Sequence, residues 1–189
     1  MNLEISNLLD LSHTMAGDYL KQFQYPWQAL DGIKELILTL GAGLSPEEYD
    51  QPQPNVWVHK TATVAPTAFL GAPCIIGPET EVRHCAFIRG SALVGAHCVV
   101  GNSVELKNVI LFDNVQTPHY NYVGDSILGR NVIVESGATI RGSVVMQDCV
   151  IKSGARVENA IVDRNNLVPA GIELRGTPED VLVKEKGRE

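Results

Sequence analysis

No run of about 18 apolar residues occurs anywhere in the chain, so nothing in it reads as a membrane-spanning helix. The opening stretch MNLEISNLLDLSHTM puts acids, not lysine or arginine, before its short apolar segment, which argues against a secretory leader. Basic residues are in short supply: 15 Lys and Arg stand against 22 Asp and Glu, for a formal charge of −7, and they are scattered. Without a basic stripe there is no counterion release to drive binding to a polyanion, so no nucleic acid is expected as a partner and any anion must be held locally. The four cysteines, Cys74, Cys85, Cys98 and Cys149, form no CxxC pair and no zinc-ligand spacing, which fits a reducing, cytoplasmic setting without metal. What is present is enough for one compact domain with an appendage: 189 residues, 44% hydrophobic and 20% charged.

The dominant feature is an internal repeat. Aliphatics recur every six residues at Val58, Val64, Leu70, Ile76, Val82, Ile88, Val94, Val100 and Leu106. Beyond Leu106 the step becomes five, six, six, through Leu111, Thr117, Val123, Leu128, Val134, Ile140, Val145, Ile151, Val157, Val162, Val168 and Leu174, so the coil shortens from 18 residues to 17. Three short edges per coil describe a triangular prism whose aliphatics point to the axis. Parallel strands of neighbouring coils then pair at about 4.8 Å spacing. Four positions after each aliphatic stands a small or apolar residue, such as Ala62, Ala68, Cys74, Ala86, Cys98, Ala138, Cys149 and Ala155, which also faces inward. Cysteines in that slot act as small hydrophobes. Handedness does not follow from spacing, because parallel crossovers are normally right-handed.

Ahead of the prism, Leu8 to Gln22 and Trp27 to Leu40 read as two helices, the second opened by Tyr25-Pro26 and closed by Gly41 and Gly43. They are expected to cap the open end of the solenoid, with Ser45 to Pro54 as a linker. The chain thus divides into residues 1–50 as helical cap and linker, 51–178 as β-helix, and 179–189 as a strand, Val181 to Val183, with a charged tail.

Composition changes only at Phe112 to Tyr122, where FDNVQTPHYNY replaces aliphatic corners with polar and aromatic groups. The run VELKNVILFDNVQTPHYNYVGDSILG resembles the acetyltransferase domain of the bifunctional N-acetylglucosamine-1-phosphate uridyltransferases, through Pro-His, two residues, then Tyr-Val-Gly-Asp. From the N-terminal helices to Gly129 the chain also resembles small stand-alone proteins termed UDP-N-acetylglucosamine pyrophosphorylase-related. The resemblance implies an all-β, left-handed parallel β-helix of hexapeptide repeats, a homotrimer with sites between subunits, acetyl-CoA as acyl donor, and a sugar phosphate or nucleotide sugar as partner. It places His119 on the catalytic base, Tyr122 on a sugar contact, and Arg89 and Lys107 on the cations that hold phosphate. The chemistry suits those roles: imidazole accepts a proton near neutral pH, a guanidinium fork matches phosphate, and an ammonium adds a point charge. Arg89 and Lys107 are one 18-residue coil apart and hence stack on one outer face. A lone His after Pro is otherwise a local hydrogen-bonding residue, and His13, His59, His84 and His97 have no support beyond that. His84 with Cys85 finds no third metal ligand, and the His-x4-His pair of hexapeptide carbonic anhydrases is closed by Gly124.

After Gly129 the resemblance breaks. NVIVESGATIRGSVVMQDC stands where that family completes its acceptor and acetyl-CoA sites: Ile133 replaces the acceptor-side Asn, and neither the expected loop nor its lysine has a counterpart. Residues 142–187 instead resemble the C-terminal β-helix of glucose-1-phosphate adenylyltransferase. No Gly-rich nucleotidyltransferase loop occurs, so nucleotidyl transfer is not expected. The two resemblances join near 130–142 in unbroken register, as in a natural mosaic or an engineered chimera, and deliberate joining is the favoured reading. Three functions follow: an acetyl-CoA-dependent transferase, impaired by the missing motifs; a non-catalytic sugar-phosphate binder; or a trimerising scaffold.

Overall fold

In the computed structural model, which describes residues 3–186, the periodic aliphatics build a left-handed parallel β-helix. Seven two- to four-residue strands, from Thr63–Val64 to Leu167–Val168, form one face of the prism, called face two here. Face one begins with Val56–His59, Cys74–Ile76 and Ala92–Val94, and face three with Phe69–Leu70 and Phe87–Ile88. The longer strands Glu105–Leu111 and Tyr122–Leu128 turn the corner and serve both. The register steps by 18 residues from Val56 to Cys74 to Ala92, then by 17 to Val109 and onward, as the spacing predicts. Ile76, Val94, Leu111, Leu128, Val145 and Val162 are fully buried in one axial column. Each such side chain is worth roughly 1.5–3 kcal/mol of transfer free energy. Thr117, the one polar member of the series, is buried because its hydroxyl donates to the Val99 carbonyl at 2.9 Å.

The N-terminal segment differs from the expectation. In place of a helix over Leu8 to Gln22 stand short turns, Ile5–Leu8, Leu11–His13 and Gly17–Leu20. Asp10 accepts from the Ser12 amide and hydroxyl, and Thr14 Oγ1 accepts from the Ala16 amide. Such local bonds compete with helix continuation. The second helix starts as a 3-10 turn, Pro26–Gly32, and becomes α-helical over Ile33–Ala42.

Nor does the segment cap the prism's end. It lies along face one, whose outward column Trp57, Ile75, Leu93, Ile110, Ile127, Val144 and Ile161 packs with Leu8, Leu20, Ile33, Leu36 and Ile37 in a second core. Phe112, the first residue of the polar and aromatic run, is fully buried there. Part of the expected linker, Tyr49–Gln53, is a strand antiparallel to Val56–His59 that takes the free edge of face one. At the other end the strand is Leu182–Lys184, paired parallel with Ala160–Val162 after a turn at Thr177 to Asp180. Residues 187–189 of the expected charged tail lie outside the described residues.

Candidate functional site

The pairing of Leu106 with Ile88 sets Lys107 directly over Arg89 on the outside of face three. Their side chains line a depression of about 390 Å³ with Ala72, Pro73, Asn108, Asp125 and, from the helix Ile33–Ala42, Lys34. Arg89 Nη1 donates to Glu105 Oε1 at 2.9 Å, and Lys107 Nζ lies 3.7 Å from Asp125 Oδ2. The hydrogen bond from Arg89 to Glu105 raises the guanidinium pKa above its already high value, so that group is always charged. Both pairs are solvent-exposed, so they stabilise the fold little and leave the cations able to exchange partners.

One coil on from Lys107 the column holds Gly124, where a Cβ would lie 2.3 Å from the Tyr122 hydroxyl. The missing side chain leaves room for the Tyr122 phenol to fold back over Gly124 on face three. Arg141, next in the column, is exposed and makes no side-chain ion pair among the described residues. The structure thus brings Arg89, Lys107 and Tyr122 onto one face, and adds Lys34, Asn108 and Asp125.

His119 ends the face-two strand Gln116–His119, opposite Asn102, and is exposed. Its amide donates to Asn121 Oδ1 at 3.3 Å and its carbonyl accepts from the Gly137 amide at 3.2 Å. Asn121 is buried in the inward slot that other coils fill with Ala, and its Nδ2 donates to the Glu135 carbonyl, fixing the corner. The imidazole itself has no hydrogen bond or ion pair among the described residues. Tyr120 follows at φ +53° and is 67% exposed. His119 therefore stands at the corner of faces two and three, while Arg89 and Lys107 sit toward the corner of faces three and one. The three residues of strand between these corners span roughly 10 Å.

Of the site residues that sequence reasoning passed over, Asp125 was within reach, because it closes the Tyr-Val-Gly-Asp motif. Lys34 carried no signal, since its place depends on how the N-terminal segment docks. His84 bonds Thr67 Oγ1 through Nδ1 at 3.0 Å, and no group of three metal-binding side chains occurs among the described residues. Burial pushes the thiols of Cys74 and Cys98 up to about 12 and that of Cys149 up to about 11, far from reactive thiolates. No helix of the described residues is long and apolar enough to cross a membrane.

Residues 120–180 match the family model described as GlmU-like, C-terminal hexapeptide, a match that crosses residues 130–142 without a break. No curated relative matches the chain. Among solved structures, the acetyltransferase domain of PglB from Neisseria gonorrhoeae is 17% identical with a TM-score of 0.45, over 78% of this chain and 65% of that one. A histidine-to-alanine mutant of GDP-perosamine N-acetyl transferase from Caulobacter crescentus, in complex with CoA and GDP-perosamine, is 14% identical with a TM-score of 0.43, over 67% and 50%. LpxA from Acinetobacter baumannii is 18% identical with a TM-score of 0.35, over 64% and 71%. The chain spans less than two thirds of the first two of these structures, and over residues 120–180 it is similar to the GlmU-like hexapeptide family.

Proposed function

We infer that the protein binds a sugar phosphate or nucleotide sugar on face three and belongs to acyl-transfer chemistry, with acetyl-CoA as the donor. The observation that carries this reading is the stack of Arg89 and Lys107 in one depression, with the Tyr122 phenol folded over Gly124 on the same face. Two stacked cations of different geometry suit a phosphate: the guanidinium fork orients it and the ammonium supplies a point charge. His119, about a strand's length away, is the proposed base that takes the proton of an acceptor amine or hydroxyl. Among the described residues of one copy nothing encloses a thioester, because the coils from Ile133 to Arg175 have strands of two or three residues and tight corners. Acyl-donor binding therefore needs a neighbouring copy, in keeping with the homotrimer that we propose.

The second reading, phosphate binding without transfer, is favoured by the His119 imidazole, which lacks the orienting hydrogen bond that working bases have. The resemblance of residues 142–187 to glucose-1-phosphate adenylyltransferase, and with it a mosaic or chimeric origin, is also a proposal.

Calorimetry with UDP-N-acetylglucosamine tests the shared part. Lys107→Ala is expected to weaken binding by about 1.5–3 kcal/mol, as for a charged hydrogen bond. Unchanged affinity removes Lys107 from the site, and absence of binding to the unaltered protein removes the reading.

A further inference from the structure

Lys34 belongs to the N-terminal segment, yet it lines the same depression as Arg89 and Lys107. Those two cations each have a carboxylate, Glu105 and Asp125, whereas Lys34 has no ion pair among the described residues. Its backbone is fixed, because Ile33 and Ile37 of the same helix are fully buried against face one. Asn108 strengthens the connection: its Nδ2 donates both to the Leu30 carbonyl of the segment, at 3.3 Å, and to Asp125 Oδ1, at 3.1 Å. Segment, corner and Lys107 are thus joined by one chain of polar contacts. With Glu105 counted, Lys34, Arg89 and Lys107 stand against two carboxylates, for one positive charge in excess, and both ion pairs are exposed enough to yield their cations to an incoming phosphate.

We propose that Lys34 is the third cation of this phosphate site, so that the N-terminal segment forms one wall of a pocket for a dianionic phosphate group. The inference rests on the reading of Arg89 and Lys107 given above and names the charge of the ligand and the element that completes its site. Two ligands carry such a dianion, the terminal phosphate of a sugar-1-phosphate and the diphosphate bridge of a nucleotide sugar. An anion seated there draws Lys107 from its loose contact with Asp125 and holds the helix Ile33–Ala42 against the solenoid.

The test is titration of the full chain with UDP-N-acetylglucosamine, glucosamine-1-phosphate and inorganic pyrophosphate, for the unaltered protein, Lys34→Gln, Lys34→Arg and Lys107→Ala. Lys34→Gln is expected to weaken binding roughly 5- to 20-fold, between the worth of an exposed ion pair and that of a charged hydrogen bond, while Lys34→Arg keeps most of the affinity. A loss for UDP-N-acetylglucosamine and pyrophosphate alone assigns the site to a diphosphate, and a loss for glucosamine-1-phosphate as well assigns it to a terminal phosphate. Amide exchange over residues 33–42 should slow when UDP-N-acetylglucosamine is added. Unchanged binding and exchange in Lys34→Gln, with Lys107→Ala still impaired, overturns the proposal and leaves the Arg89 and Lys107 reading standing. No binding of any probe to the unaltered protein overturns both.

Discussion

From Glu79 to Gly171 every corner of the prism carries a residue at positive φ, and the side chains found there show how the chain meets that demand. Between faces one and two the ladder runs Glu79, His97, Asn114, Asn131, Asp148 and Asn165, and between faces three and one it includes Ser91, Asn108, Asp125, Gly142 and Asn159. Asn and Asp visit this region at least cost, because their short side chains bond locally. Asn131 adds a bond between coils, donating to Asp148 Oδ1 at 2.7 Å in the next turn of the ladder. Between faces two and three the later coils use Gly137, Gly154 and Gly171, yet Tyr120 occupies the same station. A bulky residue there is strained, and strain of this kind collects at functional sites. With its ring 67% exposed, Tyr120 has little packing to offset that strain. Tyr120→Gly is therefore expected to stabilise the fold by about 0.5–1 kcal/mol, the left-handed penalty less the added chain entropy of glycine. Thermal unfolding should rise by roughly 1–4 °C. A fall of that size would mean that the ring is held by contacts stronger than the strain.

The N-terminal segment is an element that draws its stability from the solenoid rather than from its own helices. Gly41 shows how close the two lie: a Cβ there would sit 2.3, 2.4 and 2.5 Å from Cζ3, Cη2 and Cε3 of Trp57. Trp57 is itself buried, so its ring has no free space to retreat into. In an isolated helix, Gly to Ala gains about 1 kcal/mol. Here the overpacking cost of about 1–3 kcal/mol wins, so Gly41→Ala should lower the denaturation midpoint with an unchanged m-value. A raised midpoint would show that the helix Ile33–Ala42 stands off from face one. The docking surface was legible in the sequence, because Trp57, Ile75, Leu93, Ile110, Ile127, Val144 and Ile161 each immediately precede an inward aliphatic. Next to an inward residue in a strand, each of these points outward, and an outward apolar stripe needs a cover. The broken first helix was harder to foresee, since it depends on Asp10 and Thr14 bonding their own backbone.

For the whole molecule, the covering of face one limits how copies can meet. Among the described residues faces two and three are left open, and they carry His119 and the Arg89–Lys107 depression respectively. Face two also exposes Ile133 and Leu167, two coils apart in one outward column. The inward repeat made the prism legible from spacing alone. The site was legible only in part, because the stacking of Arg89 and Lys107 is fixed by coil length, whereas the place of Lys34 is fixed by how the N-terminal segment docks. Assembly and chemistry are coupled in the proposed reading. Light scattering is expected to give three times the 20.5 kDa chain mass, and Leu167→Asp to shift it toward one chain. Turnover of acetyl-CoA on glucosamine-1-phosphate is expected to be weak in the proposed reading, since Ile133 stands where the acetyltransferases that this sequence resembles have an acceptor-side Asn. What turnover there is should fall with the trimer, and by about 10²–10⁴-fold in His119→Ala, as for loss of a general base. A monomer that turns over freely and ignores His119→Ala would remove both the shared site and its base, because transition-state stabilisation requires acceptor, base and thioester to be positioned together.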